Sequence, residues 1–172
     1  GQTAVEIGKA MGAKVIGCAR GDAKLQAVLD AGADLAFDSE DPDLLAKLKS
    51  AGGLDVVYDA VGGNIFKTAM RACKPEARIM CIGFASGDVP QIPANILLVK
   101  NLTVQGVYWG ATQSYAPAVF NESLALVFDM IADGRLTPNI HHVFAFENAL
   151  DRLDFLRCRK STGKVFLQVK PP

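Results

Sequence analysis

Gly1-Gln2-Thr3-Ala4-Val5-Glu6-Ile7-Gly8-Lys9-Ala10-Met11-Gly12-Ala13 opens the chain, and Lys14-Val15-Ile16-Gly17-Cys18-Ala19 follows it. The first stretch reads as a small-residue helix stopped at Gly12, the second as an apolar strand. A helix and strand of this kind make the second half of a dinucleotide-binding βαβ unit. In such a unit glycines precede the helix, and the helix N-terminus holds the pyrophosphate. The first strand of the unit, and all but the last of its glycines, are expected before residue 1.

Working outward, strands and helices alternate. A helix is predicted over Asp22 to Ala31, with Leu25, Val28 and Leu29 on one face and Gly32 as its stop. Asp34 to Phe37 is a short strand. Asp41-Pro42 reads as N-cap and first helical position of a helix reaching Ser50, ended by Gly52-Gly53. Leu54 to Asp59 is a strand, Asn64 to Cys73 a helix, and Arg78 to Gly83 the next strand. The near-continuous apolar character of the strands predicts a parallel sheet covered on both faces. Beyond it the pattern predicts a loop at Gly87 to Pro93, a helix over Ala94 to Lys100 and a strand from Leu102 to Trp109. Further helices are expected at Ala118 to Ala132 and Glu147 to Arg159, and strands at His141 to Phe146 and Lys164 to Val169.

The fold class expected is α/β: a doubly wound parallel Rossmann sheet lacking its first strand, plus a C-terminal segment of a second domain. In the strand order 3-2-1-4-5-6 the missing strand lies at the centre of the sheet. Each backbone group left unpaired there costs about 1–3 kcal/mol, so the 172 residues alone are not expected to form a stable native monomer.

At 172 residues and 50% hydrophobic, the chain can bury a substantial core. Eighteen basic residues balance eighteen acidic ones, with no run of either sign, which argues against nucleic acid or an anionic membrane as partner. Cys18, Cys73, Cys81 and Cys158 form no C-x-x-C pair, and Cys18 and Cys81 fall within apolar strands. Structural thiols in a reducing compartment, cytoplasmic or an organellar matrix, are expected.

Chemistry concentrates at strand ends. An NAD-preferring site places Asp or Glu at the end of the second strand, where it accepts from the ribose 2′-hydroxyl. In this sequence Ala19 occupies that place, with Arg20 next and Lys24 one helical turn on. A carboxylate would repel a 2′-phosphate, whereas a guanidinium binds it in bidentate fashion, so the pattern points to NADP(H). Asp59-Ala60-Val61-Gly62-Gly63 and Ile82-Gly83-Phe84-Ala85-Ser86-Gly87 are small-residue loops after successive strands, where the backbone can approach a ligand. His141 and His142 are neighbours on a strand and point to opposite faces, so no metal site is expected of them. Tyr58 and Asp59 read as a strand residue and a turn-forming Asp.

Taken in order, five blocks resemble the zinc-independent quinone oxidoreductase branch of the medium-chain dehydrogenase/reductase superfamily. These are Ala4 to Ala10, Asp55 to Gly63, Gly83 to Gly87, Lys100-Asn101-Leu102 with Gly106 to Gly110, and Arg159 to Val165. The resemblance implies a dinucleotide-binding domain over residues 1–108 and a segment, 109–172, that rejoins the catalytic domain. It implies that Gly1 is the last glycine of the phosphate loop and that Arg20 and Lys24 lie by the adenosine 2′-phosphate. Val61 and Gly62 would then lie beside the nicotinamide ribose, and Phe84, Ala85 and Ser86 beside the nicotinamide ring. A Tyr that many relatives carry after the third strand is Ser39 in this sequence.

The cofactor implied is NADPH, and the reaction is hydride transfer to a small electrophilic acceptor such as a quinone, with catalytic residues unassigned. The fragment alone is expected to be inactive. A homodimer through the 102–109 edge strand is expected, since that strand carries neither Pro nor Lys to protect its edge. Two alternatives are an enoyl or alkenal reductase of the same superfamily and a non-catalytic NADPH-binding protein. A methyltransferase would be expected to carry an acidic residue at position 19.

Overall fold

The structure is a computed structural model that describes residues 1–158 and 161–169. Its elements run α1 (Gln2–Ala10), β1 (Ile16–Ala19), α2 (Asp22–Asp30), β2 (Leu35–Asp38), α3 (Leu44–Ser50), β3 (Leu54–Asp59), α4 (Gly63–Ala72) and β4 (Cys73–Cys81). They continue with α5 (Ala94–Lys100), β5 (Thr103–Gly106), α6 (Trp109–Tyr115), α7 (Pro117–Ala132), β6 (Ile140–Ala145), α8 (Ala149–Arg157) and β7 (Lys164–Gln168). The chain is mixed α/β, and β3–β4, β4–β5 and β6–β7 pair in parallel. Among the described residues the strands form three ladders, β1-β2, β3-β4-β5 and β6-β7. The architecture is Rossmann-like.

Two compact units are present, Gly1–Ala36 with Val127–Pro172, and Phe37–Leu126. In the second, β4 is the middle strand. Its Ile79 is fully buried and packs with Phe66 and Met70 of α4, Cys73, Ala77 and Leu102. Both connections from strand to strand are helical crossovers, as parallel pairing requires. Lys100, the last residue of α5, donates from Nζ to the carbonyls of Arg71 (2.9 Å) and Cys73 (2.8 Å). That ties α5 to the end of α4, where helix carbonyls otherwise lack partners. In the first unit, Val5 of α1, Val28 of α2 and Ala33 form the core. Asn139 Nδ2 donates to Gln2 Oε1 (2.9 Å), joining the segment before β6 to the start of α1.

Val56 and Tyr58 of β3 remain 47% and 52% exposed, while Val57 packs against the core. Three expectations need correction. The strand predicted to reach Trp109 stops at Gly106, because Trp109 opens α6. Its ring stacks on Phe120 at 4.4 Å, and its Nε1 donates to Ser123 Oγ (2.9 Å). The helix predicted to open at Asp41-Pro42 opens at Leu44, since the Asp41 carboxylate takes the Asp43 N–H (2.7 Å) in a local turn and pairs with Lys47. Finally, β4 begins at Cys73, directly after α4, rather than at Arg78. Arg159, predicted to end the helix after β6, lies outside the described residues, as does Lys160 of the same motif.

Candidate functional site

Five of the eight predicted site residues fall on two loops at the carboxyl ends of β3 and β4, and those loops are laced together. Asp59 ends β3 as a buried carboxylate. Its Oδ1 accepts from the N–H groups of Val61 (3.1 Å) and Gly62 (3.2 Å), and its Oδ2 from Gly62 (3.0 Å). This is the turn-forming role expected of it, and it occupies Asp59 fully enough that acid–base work is unsupported. The second loop pairs with the first: Ala85 N–H donates to Ala60 O (3.1 Å) and Ser86 N–H to Val61 O (3.0 Å). Ser86 Oγ donates to Val61 O (2.7 Å) and accepts from the Asp88 N–H (3.2 Å).

Glycine at 62 is demanded by the chain itself. Its φ is +74°, and a Cβ added there would stand 2.6 Å from the Asp88 carbonyl oxygen and 3.3 Å from Phe84 Cδ1. Gly63 N–H donates to the same Asp88 oxygen (3.1 Å). The first amide of α4, that of Gly63, is thus taken by Asp88, and the two amides just before the helix, those of Val61 and Gly62, by Asp59. Sequence reasoning missed Asp88. It acts through its main chain, and no side-chain pattern advertises a carbonyl. The apolar side chains of Val61 and Phe84 remain 43% and 44% exposed on the laced loops.

The other three predicted residues belong to the first unit. Gly1 precedes α1 and its carbonyl accepts from Ala4 (3.1 Å) and Val5 (3.3 Å) N–H groups; a Cβ at Gly1 would meet nothing within 4 Å. Arg20 follows β1 directly and is exposed, and Lys24 is in the first turn of α2. Gly21, at φ +79°, turns the chain between them. A Cβ on Gly17 would come within 2.2 Å of Val28 Cγ1, so β1 and α2 pack closely only because residue 17 is glycine. That contact fixes where Arg20 and Lys24 emerge. His142 stacks on Phe144 (5.0 Å between centroids) and meets Phe155 edge-on (5.2 Å), a packing role.

The family model for zinc-binding dehydrogenases matches residues 1–129. The chain belongs to that family. Within it, the chain falls in the quinone oxidoreductase-like branch of the medium-chain dehydrogenase/reductase superfamily. It is 40% identical over 161 residues to quinone oxidoreductase-like protein 2 of Bos taurus, covering 92% of this chain and 46% of the relative. It is 28% identical over 188 residues to prostaglandin reductase-3 of Mus musculus, covering 100% of this chain and 50% of the relative. The crystal structure of Escherichia coli quinone oxidoreductase complexed with NADPH superposes with a TM-score of 0.82 at 26% identity, covering 98% of this chain and 53% of that one. The chain thus spans about half the length of the curated relatives it matches.

Proposed function

We propose that the chain is the cofactor-binding part of an NADPH-dependent oxidoreductase that passes hydride to a quinone or a similar electrophilic carbonyl acceptor. One observation carries the reading. At the end of β1, Ala19 stands where a carboxylate would exclude a 2′-phosphate, and Arg20 and Lys24 follow on the turn and the first helical turn. The donor set therefore fits the phosphorylated cofactor in kind. In this reading Gly1 leaves room for a phosphate at the start of α1. Arg20 and Lys24 take the 2′-phosphate, and the laced loops carrying Val61, Gly62, Phe84, Ala85 and Ser86 serve the nicotinamide end.

NADPH, when bound, supplies the hydride and the hard chemistry with it. The chain's own residues bind and orient. Arg20 and Lys24 place charge-assisted donors at one end, and exposed Val61 and Phe84 offer apolar surface that keeps water away at the other. Residues 1–108 form the cofactor domain in this reading and residues 109–172 return to the catalytic lobe. The enzyme is zinc-independent, works in a reducing compartment and is a homodimer through the β5 edge. The acceptor pocket is assigned to the catalytic lobe, so the chain by itself is inactive.

A second reading, an enoyl or alkenal reductase, is favoured by the relation to prostaglandin reductase-3. An acceptor panel on the full-length protein separates the two. Oxidation of NADPH with quinones but not with α,β-unsaturated carbonyls supports the first reading, and the reverse supports the second. Equal affinity for NADPH and NADH would overturn the cofactor assignment. Tight NADPH binding with no oxidation by any acceptor would replace both readings with a non-catalytic nucleotide-binding role.

A further inference from the structure

The unit of residues 37–126 contains a cavity of about 290 Å³ between α4 and the segment that leads into α5, near the lower end of small-molecule pockets at roughly 300–1,000 Å³. Phe66 and Met70 of α4 form its floor, and Ile92 and Ile96 its opposite wall. The charged residues lining it are Lys67 and Arg71, four apart on α4 and hence one above the other on one helix face. Like charges at this spacing destabilise a helix by a few tenths of a kcal/mol. Some other cations of the described residues meet carboxylates, Lys9 with Asp34, Lys47 with Asp41, Lys74 with Asp55, Arg135 with Asp133 and Arg157 with Asp154, and others, such as Lys49 and Arg78, do not. Neither Lys67 nor Arg71 makes an ion pair with any described residue.

We infer that this cavity binds a small amphipathic anion, an apolar body of medium chain length that ends in a carboxylate. The apolar body covers Ile92 and Ile96 above the buried floor of Phe66 and Met70, while the carboxylate lies between the two cations and relieves their repulsion. The ammonium of Lys67 and the guanidinium of Arg71 both donate to carboxylate oxygens, and the guanidinium can do so in bidentate fashion. The volume suits a medium chain and is too small for a long acyl tail. A phosphate or other wholly polar anion would leave the apolar walls wet, so the combination of wall and rim selects an anion with an apolar body.

The test is calorimetric titration of the full-length protein, saturated with NADPH, with octanoate, octanol and octylammonium. Octanoate is expected to bind at one site per chain, at least tenfold tighter than octanol, and octylammonium is expected not to bind. In K67Q/R71Q, whose exposed positions leave the core intact, octanoate affinity should fall by about tenfold or more while octanol is unchanged. Equal affinity for octanoate and octanol in the wild type would overturn the inference. Octanoate binding that K67Q/R71Q does not weaken would also overturn it. So would the lack of saturable octanoate binding by wild-type protein whose circular dichroism shows it folded. NADPH saturation removes the cofactor site from the titration, and K67Q/R71Q separates this cavity from the acceptor pocket, so the outcome stays distinct from that of the cofactor assignment.

Discussion

The Asp88 carbonyl oxygen stands 2.6 Å from the place where a Cβ on Gly62 would be, so these two residues can approach only while residue 62 has no side chain. Gly62→Ala adds that clash to a φ of +74° and should destabilise the protein by about 3 kcal/mol or more. Gly87→Ala is the matched control. Its φ is +83°, but nothing lies within 4 Å of the added carbon, so the backbone penalty alone, about 1–2 kcal/mol, is expected. Urea unfolding of both variants checks this, and equal losses would show that the second loop yields freely.

Asp59 holds three hydrogen bonds from two amides on its buried carboxylate. Asp59→Ala should cost about 1.5–3 kcal/mol, since hydrogen bonds to a charged group are lost and the amides are left unsatisfied. Chemical denaturation measures the loss. Activity of the full-length enzyme should fall together with the order of the loop, because Ser86 and Phe84 are reached through Val61 and Gly62.

Arg20→Ala and Lys24→Ala should each weaken NADPH binding to the full-length protein by about 1.5–3 kcal/mol, one to two decades, with NADH affinity little changed. Fluorescence titration with both cofactors reads the difference. Parallel losses for NADPH and NADH would assign these cations a role other than the 2′-phosphate.

Acid should act on the first unit through Asp34. Lys9 Nζ donates to both its oxygens at 2.9 Å, and the Val15 N–H donates to Oδ2, which together hold its carboxyl below the usual 3.8. A depressed folded-state pKa contributes stability above the unfolded value, and that contribution disappears as pH falls through the folded value. The stability gap between wild type and Asp34→Asn should therefore be constant at neutral pH and shrink as pH drops below about 4. Thermal melts of both proteins across acid pH provide the check.

Edge pairing of β5 can be tested without disturbing its ladder to β4. Val107 N–H donates to Cys81 O, so by the alternation of a strand Gln105 and Thr103 face β4 and Val104 turns its N–H to the outer edge. Val104→Pro should leave the monomer fold intact and abolish the proposed dimer in sedimentation. A monomeric wild type, or a dimeric V104P, would count against edge pairing.

The layout of the chain was legible wherever periodicity and turn chemistry agreed. β3 and α5 match their predicted spans, and the α7 prediction differs by one residue at its start. Ends went astray where a side chain chose a distant partner, as Trp109 does with Phe120 and Ser123, or a local one, as Asp41 does with the Asp43 amide. For the candidate site, residue types singled out the two small-residue loops, Asp59 to Gly63 and Ile82 to Gly87. They could not disclose that Gly62 accommodates Asp88 from its own chain, because that contact involves a carbonyl. The cavity beside α4 was equally silent in sequence, since Lys67 and Arg71 look like ordinary solvated charges until Ile92 and Ile96 close the wall.

Residues 37–126 form one unbroken compact stretch, whereas Gly1–Ala36 packs with a segment that starts only at Val127. The first kind of unit closes short loops, and the second must close one as long as residues 37–126. Assembly order follows from that difference. During synthesis β3, β4 and β5 have the ladder partners they make among the described residues before Asn139 emerges to meet Gln2. Pulse-labelled amide exchange during refolding should find the amides of Ile79 and Met80 protected early and those of β6 late.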